Sequence, residues 1–233
     1  MLMKNGSLTV SFVAKALFGL GLVCGVGSIG KAQEQQSLVS CKPMSQKTGE
    51  FGCWILVSQP LGTLARPVYW TLDVFLTKEL AEHAKGPGGT VVEALGKVWL
   101  FTVGEKLKAY STGTRVTQIG PLPINEGRKY TAQYMEATLQ PGMVSKTHVH
   151  SGVEVFYTES GETCLETPAG KQLGKKGVDI IIPEGVSMEL TATGTEARRG
   201  MMLVLHNSSK PATTLVDIWK SKKLCMTART DTK

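Results

Sequence analysis

The sequence predicts an all-β fold with one minor helix, of the barrel or sandwich type. Three observations carry that reading. Short segments rich in Val, Ile, Thr, Tyr, Phe and Trp recur at close intervals from Phe51 to Asn207, separated by Gly- and Pro-containing turns. The stretch TKELAEHAKG, capped by Thr77 and stopped at Gly86-Pro87, is the one short helix in the pattern, so there is no βαβ array. Hydrophobic residues at 42% and charged residues at 19% describe a globular chain able to bury a core.

Residues 1–32 read as a signal peptide. Lys4 opens a positive region, Ala16 to Val26 is an apolar run too short to span a bilayer, and Gly30-x-Ala32 supplies small residues before a cleavage at Gln33. A membrane anchor is the alternative if cleavage fails, while Gly21 and Val23 fit lipidation of Cys24 poorly. The expected location is secreted or periplasmic, with no stable membrane association after cleavage. Losing Lys4, Lys15 and Lys31 lowers the formal charge from +7 to +4. Lys175-Lys176, Arg198-Arg199 and Lys220 to Lys223 read as solvated turns, and nothing resembles an aromatic-interleaved basic surface for nucleic acid.

Residues 33–40 are a polar linker and 41–125 a strand-rich region. FGCWILVSQPLG and VYWTLDVFLT read as strands, His83 as a solvated residue of the short helix, and GTVVEALGKVWLFTVG as a strand pair bent near Gly96. RVTQIGPLPI closes the region as a proline-bounded loop. Trp54, Trp70 and Trp99 are expected in the core rather than on a sugar-stacking face. In 126–210, YTAQYMEATLQ is a strand and ETCLETPAGKQLG a strand pair around the turn Thr167 to Gly170. VDIIIP is a buried strand, and MELTATGTEARRGMMLVLHN a hairpin around Thr193-Gly194. Residues 211–233 are a tail.

The chemistry concentrates in GMVSKTHVHSGVEVFYTESG, Gly142 to Gly161. In a strand, His148 and His150 share a face with Val149 turned away; Ser151-Gly152 can bend the chain, and Glu154, at an even offset, can return to that face. Two imidazoles and a carboxylate suit one divalent transition metal: Fe, Mn, Ni, Zn or Cu.

The spacing G-x5-H-x-H-x3-E-x6-G, carried by Gly142, His148, His150, Glu154 and Gly161, resembles the first signature motif of the cupins. The second motif is half present: Gly177 and the Pro183-Glu184-Gly185 turn agree, but Met188 stands where a third histidine is expected and Ala192 where an asparagine is. The resemblance covers roughly Lys129 to Asn207. It implies a cupin-like double-stranded β-helix, a jelly-roll barrel, over 126–210 with the metal inside. Residues 41–125 are then either a strand-rich extension of its sheets or a degenerate second cupin lobe.

Met188 leaves three outcomes open. The site stops at His148, His150 and Glu154, a set suited to non-haem Fe(II); or His206 swings in as a replacement ligand; or the metal is lost and a pocket remains. The resemblance implies a metal-dependent enzyme on a small molecule, either a dioxygenase or an isomerase or lyase. The alternative is a non-catalytic module that binds a small ligand or a metal. Glu154 is a candidate ligand or proton-transfer base, and Tyr157 and Tyr134 are candidates to orient a substrate unless they are packing residues. A cavity open to solvent and lined by Tyr134, Tyr157, Met188, Met202 and His206 would favour an enzyme, whereas a barrel filled by Met and Leu side chains with the histidines at a closed mouth would favour a structural metal. A homodimer is compatible with this reading.

After removal of Cys24 four cysteines remain, Cys41, Cys53, Cys164 and Cys225, an even number that permits disulfides in an oxidising compartment. Cys41 with Cys53 would staple the first structured segment, and Cys225 could tie the tail to Cys164 or to the N-terminal region.

Overall fold

The computed structural model describes residues 37–38 and 41–226. The expected signal peptide at 1–32 lies outside the described residues, as does most of the expected linker at 33–40. Along the chain, β1 (Ser37–Leu38), β2 (Lys42–Pro43) and β3 (Gly52–Thr63) come first, then β4 (Tyr69–Phe75) and helix α1 (Lys78–Ala84). Next are β5 (Gly89–Ala94), β6 (Lys97–Gly104), β7 (Thr114–Ile119), β8 (Lys129–Leu139), β9 (Val144–Ser145) and β10 (His148–His150). The last elements are β11 (Gly152–Ser160), β12 (Glu162–Thr167), β13 (Gly170–Lys175), β14 (Ile180–Ile182), β15 (Glu189–Thr193), β16 (Arg198–Asn207) and β17 (Thr213–Leu215).

These strands form three layers. A six-stranded sheet in the order β14-β11-β16-β8-β3-β2 lies in the middle. Strand alternation divides its side chains between two cores. One face carries Met135, Ala137, Phe156, Met202 and Val204, which pack on Leu165, Leu190 and Ala192 of the five-stranded sheet β1-β9-β15-β12-β13. This pair of sheets is the jelly roll. The opposite face carries Tyr134, Val155, Tyr157 and Leu203, which pack on Trp70, Trp99 and Phe101 of the four-stranded sheet β5-β6-β4-β7. Trp70 and Trp99 are fully buried there, Trp99 donating its indole N–H to the Ala94 carbonyl at 2.9 Å.

The strand-rich N-terminal region is thus an extension. β2 and β3 widen the central sheet, and the four-stranded sheet covers its back with half the eight strands of a jelly roll. α1 begins as the sequence suggests, with the Thr77 hydroxyl accepting from the Leu80 N–H at 3.3 Å, and His83 is exposed.

Two local expectations fail. The segment read as a proline-bounded loop contains β7, which pairs with β4 and stops at Gly120-Pro121. The expected hairpin around Thr193-Gly194 does not exist: β15 pairs with β12 and β9, whereas β16 pairs with β11 and β8. The turn crosses from one layer to the other, a choice that strand propensity does not encode.

The segment expected as a tail is docked from Pro211 to Met226. β17 pairs with β10, and disulfides join Cys41 to Cys53 and Cys164 to Cys225. Glu166 on β12 accepts hydrogen bonds from the Ser221 hydroxyl at 2.7 Å, the Leu224 N–H at 2.8 Å and the Lys222 N–H. Burial opposes the charge on Glu166, but these bonds and Lys223 outweigh it and hold the carboxyl below its usual 4.5. A depressed folded-state value means stability that is present above pH 4.5 and lost as pH falls through the lower folded value. The Lys222 and Leu224 amide resonances should therefore titrate together with a midpoint below 4.5, and Glu166→Gln should remove that titration. A midpoint at or above 4.5 would contradict the arrangement.

Candidate metal centre

Two sheets converge on the site. β10 pairs with β17 on one side, and His148 exchanges both backbone hydrogen bonds with Met188 on the other, at 3.1 and 2.9 Å. The chain then bends at Ser151, whose hydroxyl donates to the Pro211 carbonyl at 2.7 Å, and enters the central sheet as β11. Gly152 makes this entry feasible. A Cβ there would meet the Leu205 carbonyl oxygen at 1.9 Å and the His206 Cα at 2.5 Å, so a hydrogen is all that fits between β11 and β16. The surviving half of the second motif also has a job: the Gly185 N–H of the Pro183-Glu184-Gly185 turn donates to the His150 carbonyl at 3.0 Å.

The donor atoms of His148, His150 and Glu154 lie within 4.8 Å of one another. The imidazole centroids are 4.9 Å apart. Each Nδ1 is engaged by backbone, His148 with the Lys146 carbonyl at 2.8 Å and His150 with the Ala212 carbonyl at 2.9 Å. That fixes the tautomer and leaves both Nε2 lone pairs free for a metal. His150 Nε2 and Glu154 Oε2 are 3.0 Å apart, yet both are buried and neither has an aligned hydrogen-bond partner. Orphaned buried polar atoms of this kind are what a bound cation would satisfy, so the three residues fit one divalent metal. Burial pushes His148 below its usual value against the opposing charge of Glu154. At His150 burial acts the same way, but the Glu154 carboxylate outweighs it and the group is held above its usual value.

A cavity of about 300 Å³ opens from this group. Its lining runs along β8 from Gln133 through Met135 and Ala137 to Leu139, about 20 Å of strand at ~3.4 Å per residue. Leu190, Phe156 and Met202 line the other walls, and Ser145, Thr213 and the Cys41–Cys53 disulfide complete the lining.

Three of the candidate site residues lie elsewhere. Tyr157 is at an odd offset from Glu154, so it faces the opposite core, where its ring sits 6.0 Å from Trp99. Tyr134 shares that core and is fully buried; burial raises its hydroxyl far above the usual value. His206 is paired opposite Gly152 and turns its Nδ1 to the Asn207 carbonyl at 3.0 Å; it is not among the converging donors. Met188 is buried in the core beside the site. Of the five residues whose place in the cavity wall would favour an enzyme, Met202 alone is there.

Arg198 was expected in a solvated turn and is instead fully buried between the two jelly-roll sheets. Its even offset from Met202 and Val204 was the signal for an inward side chain. Nε donates to the Thr163 hydroxyl at 2.8 Å, while Nη1 and Nη2 have no partner. Burial drives the guanidinium down to about 10, with the charge of Glu154 opposing the shift.

No family model and no curated protein matches this chain. Among solved structures it is similar to a cupin-like protein from Thermotoga maritima, with 17% identity and a TM-score of 0.34 over 36% of this chain and 64% of that one. It is also similar to oxalate decarboxylase from Bacillus subtilis, with 17% identity and a TM-score of 0.32 over 36% and 24%. A cupin domain from Bordetella pertussis gives 24% identity and a TM-score of 0.28 over 36% and 88%. The chain spans less than two thirds of the first two. Its likeness among solved structures runs to cupin-like proteins, and it is a likeness of fold.

Proposed function

We propose that this chain is an exported metal-dependent enzyme acting on a small molecule, with one divalent metal held by His148, His150 and Glu154. The observation that carries the reading is the orphaned pair His150 Nε2 and Glu154 Oε2 in the wall of a mostly apolar cavity. Bound there, the metal would supply a Lewis acid or an O₂-binding centre. The chain's own residues do the rest. The Lys146 and Ala212 carbonyls orient the imidazoles, Gln133 and Thr213 offer hydrogen bonds to a ligand at the cavity mouth, and Leu139, Phe156 and Met202 exclude water. A two-histidine, one-carboxylate set favours dioxygenase chemistry over isomerase or lyase chemistry, since it suits non-haem Fe(II). Two disulfides suit a secreted or periplasmic location, and among the described residues no helix is long and apolar enough to cross a membrane.

The test is metal content by elemental analysis of protein purified without chelator, beside His148→Ala. Near-stoichiometric metal is expected in the native chain and almost none in the variant, and the identity of the metal selects between redox and Lewis-acid chemistry. If neither binds metal after add-back of Fe(II), Mn(II), Ni(II), Zn(II) or copper, the enzyme reading fails and a non-catalytic ligand-binding module replaces it.

A further inference from the structure

The register of the central sheet sorts the lining of the cavity by polarity. Glu154, Val204 and Gln133 stand level across β11, β16 and β8, and of these Glu154 and Gln133 line the cavity. One step along the strands, roughly 7 Å at ~3.4 Å per residue, the level is Phe156, Met202, Met135 and, on β3, Ile55. All four line the cavity. The next two levels on β8 contribute Ala137 and Leu139. The facing wall follows a similar order. Thr213 is paired with His150, and its hydroxyl lies 3.1 Å from His150 Nδ1. Leu190, two residues beyond the Met188 that is bridged to His148, continues that wall, and the Ser145 hydroxyl already accepts from the Leu190 N–H at 2.9 Å.

Charge is sorted as well. Among the described residues no Lys, Arg or Asp lines the cavity, and Glu154 is its one carboxylate. An anionic ligand would meet a like charge at the polar level and no partner in the apolar stretch, where burying even a hydroxyl is costly. Gln133 is the neutral group at the polar level; the amide's hydrogen bond among the described residues is a long one, from Nε2 to the Ser58 hydroxyl at 3.5 Å. A volume of about 300 Å³ is at the lower end of small-molecule sites, which run from roughly 300 to 1,000 Å³.

From this sorting of the lining we infer that the cavity takes a small uncharged molecule with an apolar body and one oxygen-bearing end. The body lies along Met135, Phe156, Met202 and Leu139, and the oxygen sits beside Gln133 and the His148, His150, Glu154 group. The place of the oxygen rests on the metal-site reading; the apolar body does not. Gln133 then sets specificity for a neutral oxygen over a charged one.

Butanol, hexanol, octanol, octanoate and an octanediol with a hydroxyl at each end are titrated by calorimetry into the native chain and into His148→Ala. Each added methylene should tighten alcohol binding about fourfold in both proteins. Octanol should bind about tenfold or more tightly than the diol, whose second hydroxyl has no partner in the apolar stretch. The octanoate comparison is made in His148→Ala and in chelator-treated native chain, where no metal charge draws the carboxylate in; octanol should again be about tenfold or more the tighter. Ala137→Leu should bring octanol down to the level of butanol with butanol unchanged. Because that change lies in the core, Ala137→Val is the second variant, expected to fold and to bind octanol several-fold more weakly. Binding that does not depend on chain length overturns the inference. So does octanoate or the diol binding as tightly as octanol in the metal-free proteins, or octanol binding unchanged in both Ala137 variants. Elemental analysis separates the two readings. Chain-length dependence with no metal in the native chain supports the apolar cavity while the metal reading fails; metal without chain-length dependence does the reverse.

Discussion

Gly152→Ala should destabilise the fold by about 3 kcal/mol or more and strip the protein of metal in one step. Overpacking a well-filled interior costs ~1–3 kcal/mol, and more where the obstacle cannot turn aside. Here the obstacle is backbone, the Leu205 carbonyl and the His206 Cα, so β11 and β16 must separate for the methyl to enter. Separation moves Glu154, two residues away and paired with Val204, out of register with the imidazoles on β10. Chemical denaturation and elemental analysis read the two consequences. Gly104→Ala is the control, because nothing lies within 4 Å of a Cβ at that position; it should change stability by about 0.5 kcal/mol at most. A Gly152→Ala protein with native stability and full metal would refute this account of the bend.

The second large effect concerns the Cys164–Cys225 bridge, whose cysteines are 61 residues apart in sequence. A loop of that length is worth about 4 kcal/mol in the chain-entropy view. The bridge also anchors the segment that carries Ser221, Lys222 and Leu224 against Glu166. Cys164→Ser with Cys225→Ser should lower stability by about that amount under oxidising conditions. The Cys41–Cys53 bridge closes only 12 residues, but it lines the cavity. Its removal should cost less, about 3 kcal/mol on the same scale. A larger loss from the shorter loop would show that packing around the bridge, rather than chain entropy, sets the contribution.

Strand alternation and close spacing made the barrel-or-sandwich class and the three-residue group legible, putting His148, His150 and Glu154 on a common side before any tertiary information is needed; the jelly roll itself was implied by the resemblance to the first cupin motif. What escaped depended on which layer a strand joins. Tyr157 is three residues from Glu154, and that odd offset alone sends it into the aromatic core with Trp99. Arg198 looked like half of a solvated pair with Arg199, and only its position at the start of a strand shared with Met202 turns it inward. The false hairpin between β15 and β16 has the same origin, because turn residues announce a reversal without naming the partner. The docking of the C-terminal segment was equally hidden: the Ala212 carbonyl that orients His150 is a backbone group, and residue identity says nothing about where a carbonyl points.

The layering gives the two halves of the metal group unequal mechanical support. Glu154 sits on a strand paired with β16 along nearly its whole length and, at Glu154 itself, with β14 on the other edge, whereas the histidines ride on three residues held by another three-residue strand and by the bridge from His148 to Met188. Amide hydrogen exchange should be slowest along β8, β11 and β16 and much faster at β10 and β17. Slow exchange at β11 with fast exchange at β10 would make the carboxylate the fixed jaw of a vice and the histidine side the jaw that yields first.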